Sequence, residues 1–137
     1  MILLVKILTE EWVKAFGKAI NDNPNYKPSA ATWEGEMIVR VEPSGLLDHE
    51  VKFYLGLYHG ECTEARLIKE GEEVEAPFTL AGVYDVFVQI MKKEIDPIRA
   101  VMAGKLKLAG DMAKLMRATK AAQEIVNSLS MFETEFL

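Results

Sequence analysis

Hydrophobic positions change their spacing several times along the chain, and each change marks a new element. Behind Thr9, a good helix N-cap, Glu10 and Glu11 complement the positive end of a helix, and Trp12, Ala15, Phe16, Ala19 and Ile20 recur at helical spacing. An amphipathic first helix is predicted. It stops in Asn21-Asp22-Asn23-Pro24-Asn25, a cluster of turn formers with a proline that cannot continue it, and residues up to Ala31 read as a connecting loop. From Trp33 the period becomes two: Trp33, Gly35, Met37, Val39 and Val41 share one face, Glu34, Glu36, Arg40 and Glu42 the other. A second strand alternates Val51, Phe53, Leu55 and Leu57 with Lys52, Tyr54, Gly56 and Tyr58. After a His59-Gly60 turn, a third places Thr63, Ala65 and Leu67 inward. Beyond the charged turn at residues 69–73, a fourth strand with Val74, Ala76, Phe78 and Leu80 inward completes a four-strand meander. Pro77 argues for an edge or a bulge there.

Helical spacing then returns. Val83, Val86, Phe87, Ile90 and Met91 form an apolar stripe across residues 82–93, and Asp96-Pro97 is a cap and first-turn pair opening a short helix that Gly104 ends. Lys105-Leu106-Lys107-Leu108 reads as a fifth strand with its leucines on one face. Gly110-Asp111 then caps one long helix carrying Met112, Leu115, Met116, Thr119, Ala122, Val126 and Leu129. This order predicts a single α+β domain over residues 1–137: a five-stranded, mostly antiparallel sheet covered on one face by helices. Helices sealing such a sheet can leave an elongated gap lined by Phe, Leu, Ile and Met.

Composition narrows the function classes. The chain is 50% hydrophobic, and sixteen Lys and Arg against 21 Asp and Glu leave a net charge of -5, the wrong sign for neutralising nucleic-acid phosphates. No apolar run approaches the ~20 residues of a membrane span, and residues 1–8, interrupted by Lys6, lack the pattern of a secretory signal. A lone cysteine calls for no oxidising compartment, so a cytoplasmic protein is expected. The ending Glu135-Phe136-Leu137 does not match a Ser-Lys-Leu type peroxisomal address. Seven methionines against six phenylalanines suit either an irregular core or an adaptable pocket.

Candidate chemistry is sparse. Cys62 beside His59 and Glu61 forms the one nucleophile-like cluster, but residues crowded at one turn cannot converge on a substrate atom, and Cys62 reads equally well as a small strand residue. The two histidines, His49 and His59, would flank a strand of about nine residues, roughly 30 Å apart, too far for one metal ion. No phosphate-cradling glycine loop, nucleophile elbow or HExxH signature occurs. Catalytic residues, cofactor and metal are therefore all expected to be none. Lys105 and Lys107 read either as the wet face of a strand or as contacts to an anionic head group or membrane surface.

The stretch Asp96-Pro97-Ile98-Arg99-Ala100-Val101-Met102-Ala103-Gly104-Lys105-Leu106-Lys107-Leu108-Ala109-Gly110-Asp111-Met112 resembles the sterol carrier protein (nonspecific lipid-transfer) family. The resemblance spans residues 9–129 and includes the Thr9-Glu10-Glu11-Trp12 helix start, Trp33-Glu34-Gly35 and Val83-Tyr84-Asp85. It implies a hydrophobic tunnel, no catalysis, and fatty acids, fatty acyl-CoA, phospholipid or sterol-like molecules as ligands. By position, Phe87, Ile90, Met91, Met102, Leu106, Leu108, Met112, Leu115 and Met116 are expected to line the tunnel. Phe132 and Phe136 in the tail are the expected lid. Expected partners are a lipid or fatty acyl ligand, transiently a membrane and, as an open alternative, a second copy of the chain in a homodimer, with nucleic acid excluded. The family fold also occurs as an accessory module lending dimerisation or an apolar substrate surface to an enzyme, which is the alternative expectation.

Overall fold

In the computed structural model, which describes residues 4–137, Thr9 accepts a hydrogen bond from the Trp12 N–H at 3.1 Å and opens helix α1, Glu10–Asp22. The start of the apolar N-terminal run therefore lies outside the described residues; Leu4–Lys6 forms strand β1. Helix α1 buries Trp12, Val13, Phe16, Gly17 and Ile20. At Gly17 the helix comes so close to the sheet that a Cβ would stand 2.5 Å from the Ala65 Cβ. The loop expected before Ala31 contains a one-turn helix, α2, Tyr26–Ser29.

The sheet comprises β2 (Met37–Glu42), β3 (Val51–Tyr58), β4 (Glu61–Ile68), β5 (Phe78–Val83) and β6 (Lys107–Ala109), in spatial order β4-β3-β2-β5-β6. It is the expected five-stranded, mostly antiparallel sheet, with β2 and β5 as its one parallel pair. The β3–β4 hairpin turns at His59 (φ +49°) and Gly60 (φ +79°), the left-handed pair that matches strand twist. A side chain at Gly60 would also strike the Lys27 carbonyl oxygen, 2.7 Å from the would-be Cβ.

Two strand assignments need correction. Strand β5 does not continue a meander, because β4 and β5 run in the same direction and cannot form a hairpin. Residues 69–77 instead cross the sheet, and β5 inserts beside β2 as an interior strand. Pro77 stands just before the strand, where no ladder hydrogen bond is required of it, and Val74 and Ala76 fall outside it. In β4 the register slips by one residue, with Leu57 opposite Cys62 but Leu55 opposite Ala65. That bulge turns Cys62 inward and leaves Thr63 exposed, reversing the expected alternation.

Four helices follow: α3 (Tyr84–Met91), α4 (Pro97–Met102), α5 (Met112–Arg117) and α6 (Thr119–Ser128). Asp96 and Asp111 cap α4 and α5 as expected, the first accepting from the Ile98 and Arg99 N–H groups, the second from that of Lys114. The single long final helix is broken at Ala118 (φ −104°, ψ 29°), and the Thr119 hydroxyl donates to the Met116 carbonyl at the break. After a short 3₁₀ turn, Leu129–Met131, the tail forms β7 (Glu133–Glu135), which pairs in parallel with β1.

Candidate functional site

Between the inner face of the sheet and its helical cover lies a cavity of about 140 Å³. The strands contribute Met37, Val39, Phe53, Leu55 and Leu80 to its wall, and the first two helices Trp12, Phe16 and Tyr26. Helices α3 and α4 add Tyr84, Phe87, Ile90 and Val101; beyond the break, Ala121, Ala122, Ile125 and Val126 of α6 close it. Among the described residues, none of the lining side chains is charged. Burial of apolar area is thus what the cavity offers a ligand, at ~0.8 kcal/mol per CH₂ removed from water.

Of the positions expected to line a tunnel, Phe87, Ile90, Met91, Leu106, Leu108 and Leu115 face the cavity. Met102, Met112 and Met116 do not. Met102, the last residue of α4, is 70% exposed, and Met112 in the first turn of α5 is 43% exposed. The helix ending at Met102 is short, as expected, but turns Ile98 and Val101 to the cavity and Met102 to solvent; Met112 follows from a stripe carried through a helix that is broken here, since α5 turns only Leu115 fully inward and the wall resumes on α6 after the kink. Met116 is partly buried against the core but outside the cavity wall. The residues overlooked, from α1 and the middle strands, were legible as inward faces of a helix and two strands.

The expected lid is tied down. Phe132 packs edge-on against Trp12 (ring centroids 6.5 Å apart), the Trp12 indole N–H donates to Thr134 Oγ1 at 3.1 Å, and the Leu137 N–H donates to the Tyr84 hydroxyl at 3.1 Å. Phe136 lies beside the Lys92 ammonium, 5.1 Å from its ring centroid. Together these contacts tie the tail to the first turns of α1 and α3, two helices whose side chains line the cavity, and to Lys92 just beyond α3.

A buried polar cluster holds α6 in place. Asn23, 6% exposed at the end of α1, donates to Glu124 Oε1 at 3.2 Å, to the Glu124 carbonyl at 3.1 Å and to Ser128 Oγ at 3.1 Å. Burial raises the Glu124 carboxyl, but the amides of Asn23 and Asn127 and the Lys120 ammonium outweigh it and hold the group below its ordinary value. The remaining candidates sit elsewhere. Cys62 is buried, donates to the Glu64 carbonyl at 3.3 Å, and is pushed by burial up to about 11, so at neutral pH it is a thiol rather than a nucleophilic thiolate. His59 pairs with Glu34 at 2.7 Å and His49 with Asp48 at 2.7 Å, at separate turns. Among the described residues, no group of three or more His, Cys, Asp or Glu is arranged to hold a metal ion. No helix among them is long and apolar enough to cross a membrane.

The model of the SCP-2 sterol transfer family matches residues 13–123. A crystal structure of sterol carrier protein 2 is 31% identical, with a TM-score of 0.80, covering 90% of this chain and 96% of that one. A conserved hypothetical protein from Thermus thermophilus is 29% identical with a TM-score of 0.83, covering 93% and 90%. The palmitated sterol carrier protein 2-like 2 of Aedes aegypti, at 20% identity and a TM-score of 0.54, covers 84% and 88% and shares the fold. No curated protein sequence matches the chain.

Proposed function

The chain belongs to the SCP-2 sterol transfer family, a family of lipid carriers, and we propose that it takes up the apolar part of a lipid in the cavity and releases it at a membrane. The observation that carries this reading is the cavity itself: a void inside the fold whose wall is apolar and wholly uncharged. Such a wall binds by area and shape, which suits fatty acids, acyl esters and phospholipid tails alike, and leaves their charged ends to solvent. In the closed state the void is small. Its 140 Å³ is close to the ~150 Å³ engineered cavity that takes up benzene. It falls below the ~300 Å³ where pockets for larger ligands begin. Loading a long chain therefore requires the cover to swing outward, and α5, only six residues long and ending at the Ala118 break, is the element able to do so. On loading, the cavity extends into a tunnel.

Lys105 and Lys107 stand exposed beside the cavity-lining Leu106 and Leu108, an arrangement that supports a head-group or membrane contact at that edge. Protein purified from a heterologous host is expected to carry fatty acid or phospholipid, seen as a mass increment by native mass spectrometry. Ala122→Phe, which fills the cavity from α6 with an apolar ring, is expected to remove that increment while unfolding stays cooperative. A clean unliganded mass for the unaltered protein, with no uptake of a fluorescent fatty acid, would overturn the proposal.

A further inference from the structure

Burial alone anchors α5 weakly. The helix has six residues, is entered from extended backbone at Asp111 (φ −75°, ψ 99°), is left at the Ala118 break, and has Leu115 as its one buried residue. Lys114, beside Leu115, makes the polar contact that closes it on the sheet. The ammonium donates to the Glu34 backbone carbonyl and stands 5.1 Å from the Trp33 ring centroid and 5.7 Å from that of Phe78. Those two rings pack on each other, centroids 5.1 Å apart, and both are buried. Lys114 has no ion-pair partner among the described residues. The platform it grips is fixed. The Trp33 N–H donates to the Ala30 carbonyl at 3.0 Å, the His59 N–H to the Trp33 carbonyl at 2.7 Å and the Gly35 N–H to the Leu57 carbonyl at 3.2 Å. The Trp33 indole donates to the Gly35 carbonyl at 3.1 Å. Trp33 and Leu115 both line the cavity, so the Lys114 contact clamps two parts of its wall together from outside.

Building on the lipid-carrier reading, we propose that Lys114 is a latch that holds α5 shut on the Trp33–Phe78 pair and thereby sorts ligands by size: small apolar molecules enter the closed void with the latch in place, and long chains enter only by breaking it. The closed void, about 140 Å³, has room for a molecule of the size of benzene but not for a fatty acyl chain. When α5 swings out, Lys114 leaves both ring faces and the Glu34 carbonyl at once, because all three belong to the stationary side. A cation held against buried rings is bound more firmly than one over an exposed ring, and its hydrogen bond to the carbonyl is charge-assisted. The latch therefore lowers the fraction of molecules that are open. Apparent affinity for a ligand that needs the open state falls by that same fraction, whereas a ligand that fits the closed state is unaffected. An ammonium also suits a contact that must break repeatedly, since water solvates it strongly on release.

The test compares palmitate, followed by titration calorimetry, with benzene, followed by NMR titration, in the unaltered chain, Lys114→Ala and Lys114→Arg. Lys114→Ala is expected to bind palmitate about tenfold more tightly and benzene with unchanged affinity. Lys114→Arg, which keeps a cation over the rings, is expected to match the unaltered protein for both ligands. Unchanged palmitate affinity in Lys114→Ala would overturn the latch. An equal gain for benzene would do the same, because the substitution would then have loosened the whole cover. So would a Lys114→Arg protein that behaves like Lys114→Ala, since the charge would not be what holds the helix. If Lys114→Ala does not unfold cooperatively, Lys114→Gln, which keeps most of the stem but not the charge, carries the same comparison with the same overturning results. Failure of palmitate to bind any of these proteins would overturn the lipid-carrier reading itself, and the latch with it.

Discussion

Asn23 and Glu124 stand 101 positions apart, yet their contact fixes one wall of the cavity. The Asn23 carboxamide oxygen accepts the Asn25 N–H at 3.0 Å, while its NH₂ serves Glu124 and Ser128, so one short side chain ties the end of α1 to the middle of α6. Removing it leaves a buried carboxylate and the Glu124 carbonyl short of donors. Asn23→Ala is therefore expected to lower the free energy of unfolding by about 2–3 kcal/mol at neutral pH. The pH dependence carries the mechanism. Glu124 is held below its ordinary value of 4.5, so its contribution is fully present above that pH and is lost as pH falls through the lower value of the folded state. In Asn23→Ala much of the depression is gone. Urea denaturation across an acid series is thus expected to show the gap between the two proteins narrowing below about pH 4.5, and a gap that stays constant would mean that the amide supports packing rather than the carboxylate.

Which elements were legible in the sequence depended on whether their signal was local. Thr9, Asp96 and Asp111 each cap a helix by accepting N–H groups two or three residues on, so all three starts stood where the sequence placed them. The His59-Gly60 hairpin was equally local. The order of β5, by contrast, follows from the direction of β4, which is decided only when three strands have paired, and alternation inside each strand carries no trace of it. The break at Ala118 was hidden because alanine is a strong helix former, and the Thr119 hydroxyl bonding back to the Met116 carbonyl is seen only in the folded chain. Most of the cavity wall was legible as inward faces, but the methionines were not, since a stripe read through an unbroken helix assigned Met112 and Met116 to a wall that begins after the break. The tail shows the same limit. The sequence offers Phe132 and Phe136 as a lid, and only the β1–β7 pairing shows them held as a strap. Deleting residues 132–137 removes the Phe132 ring from Trp12 and the acceptor of the Trp12 indole. The truncated protein is expected to lose about 2 kcal/mol of stability, to show red-shifted tryptophan emission, and to release a bound fluorescent fatty acid faster. Unchanged release at reduced stability would make the tail a brace and not a lid.

The net charge of -5 conceals a division within the molecule. Residues 92–120 hold eight of the sixteen Lys and Arg but only three of the 21 acidic residues, so the rest of the chain is strongly acidic and this segment is basic. The difference extends to pairing. Lys14, Lys18, Lys27, Arg40 and Arg66 form ion pairs with acidic neighbours, whereas among the described residues no Lys or Arg from Lys92 to Arg117 does so. Lys105 and Lys107, exposed and held by no carboxylate among the described residues, can turn to a new anion without breaking an ion pair. The same segment displays Met102 and Met112, apolar and exposed, and contains β6, whose Leu106 and Leu108 reach the cavity while Lys105 and Lys107 face solvent. A carrier that docked here on an anionic bilayer would bring its cavity edge to the membrane and turn its acidic remainder away, which would orient the molecule as well as hold it. Each Lys near such a surface contributes ~1 kcal/mol, so Lys105→Glu with Lys107→Glu is expected to weaken binding to phosphatidylserine-containing vesicles at least about 30-fold. Vesicles of phosphatidylcholine alone are expected to bind both proteins weakly and equally. Because screening shortens to ~3 Å at 1 M salt, the difference is expected to vanish there. The variant is expected to keep its affinity for a fluorescent fatty acid in free solution, while its rate of delivery to anionic vesicles falls. If delivery were unchanged, the basic segment would not be the face that meets the membrane.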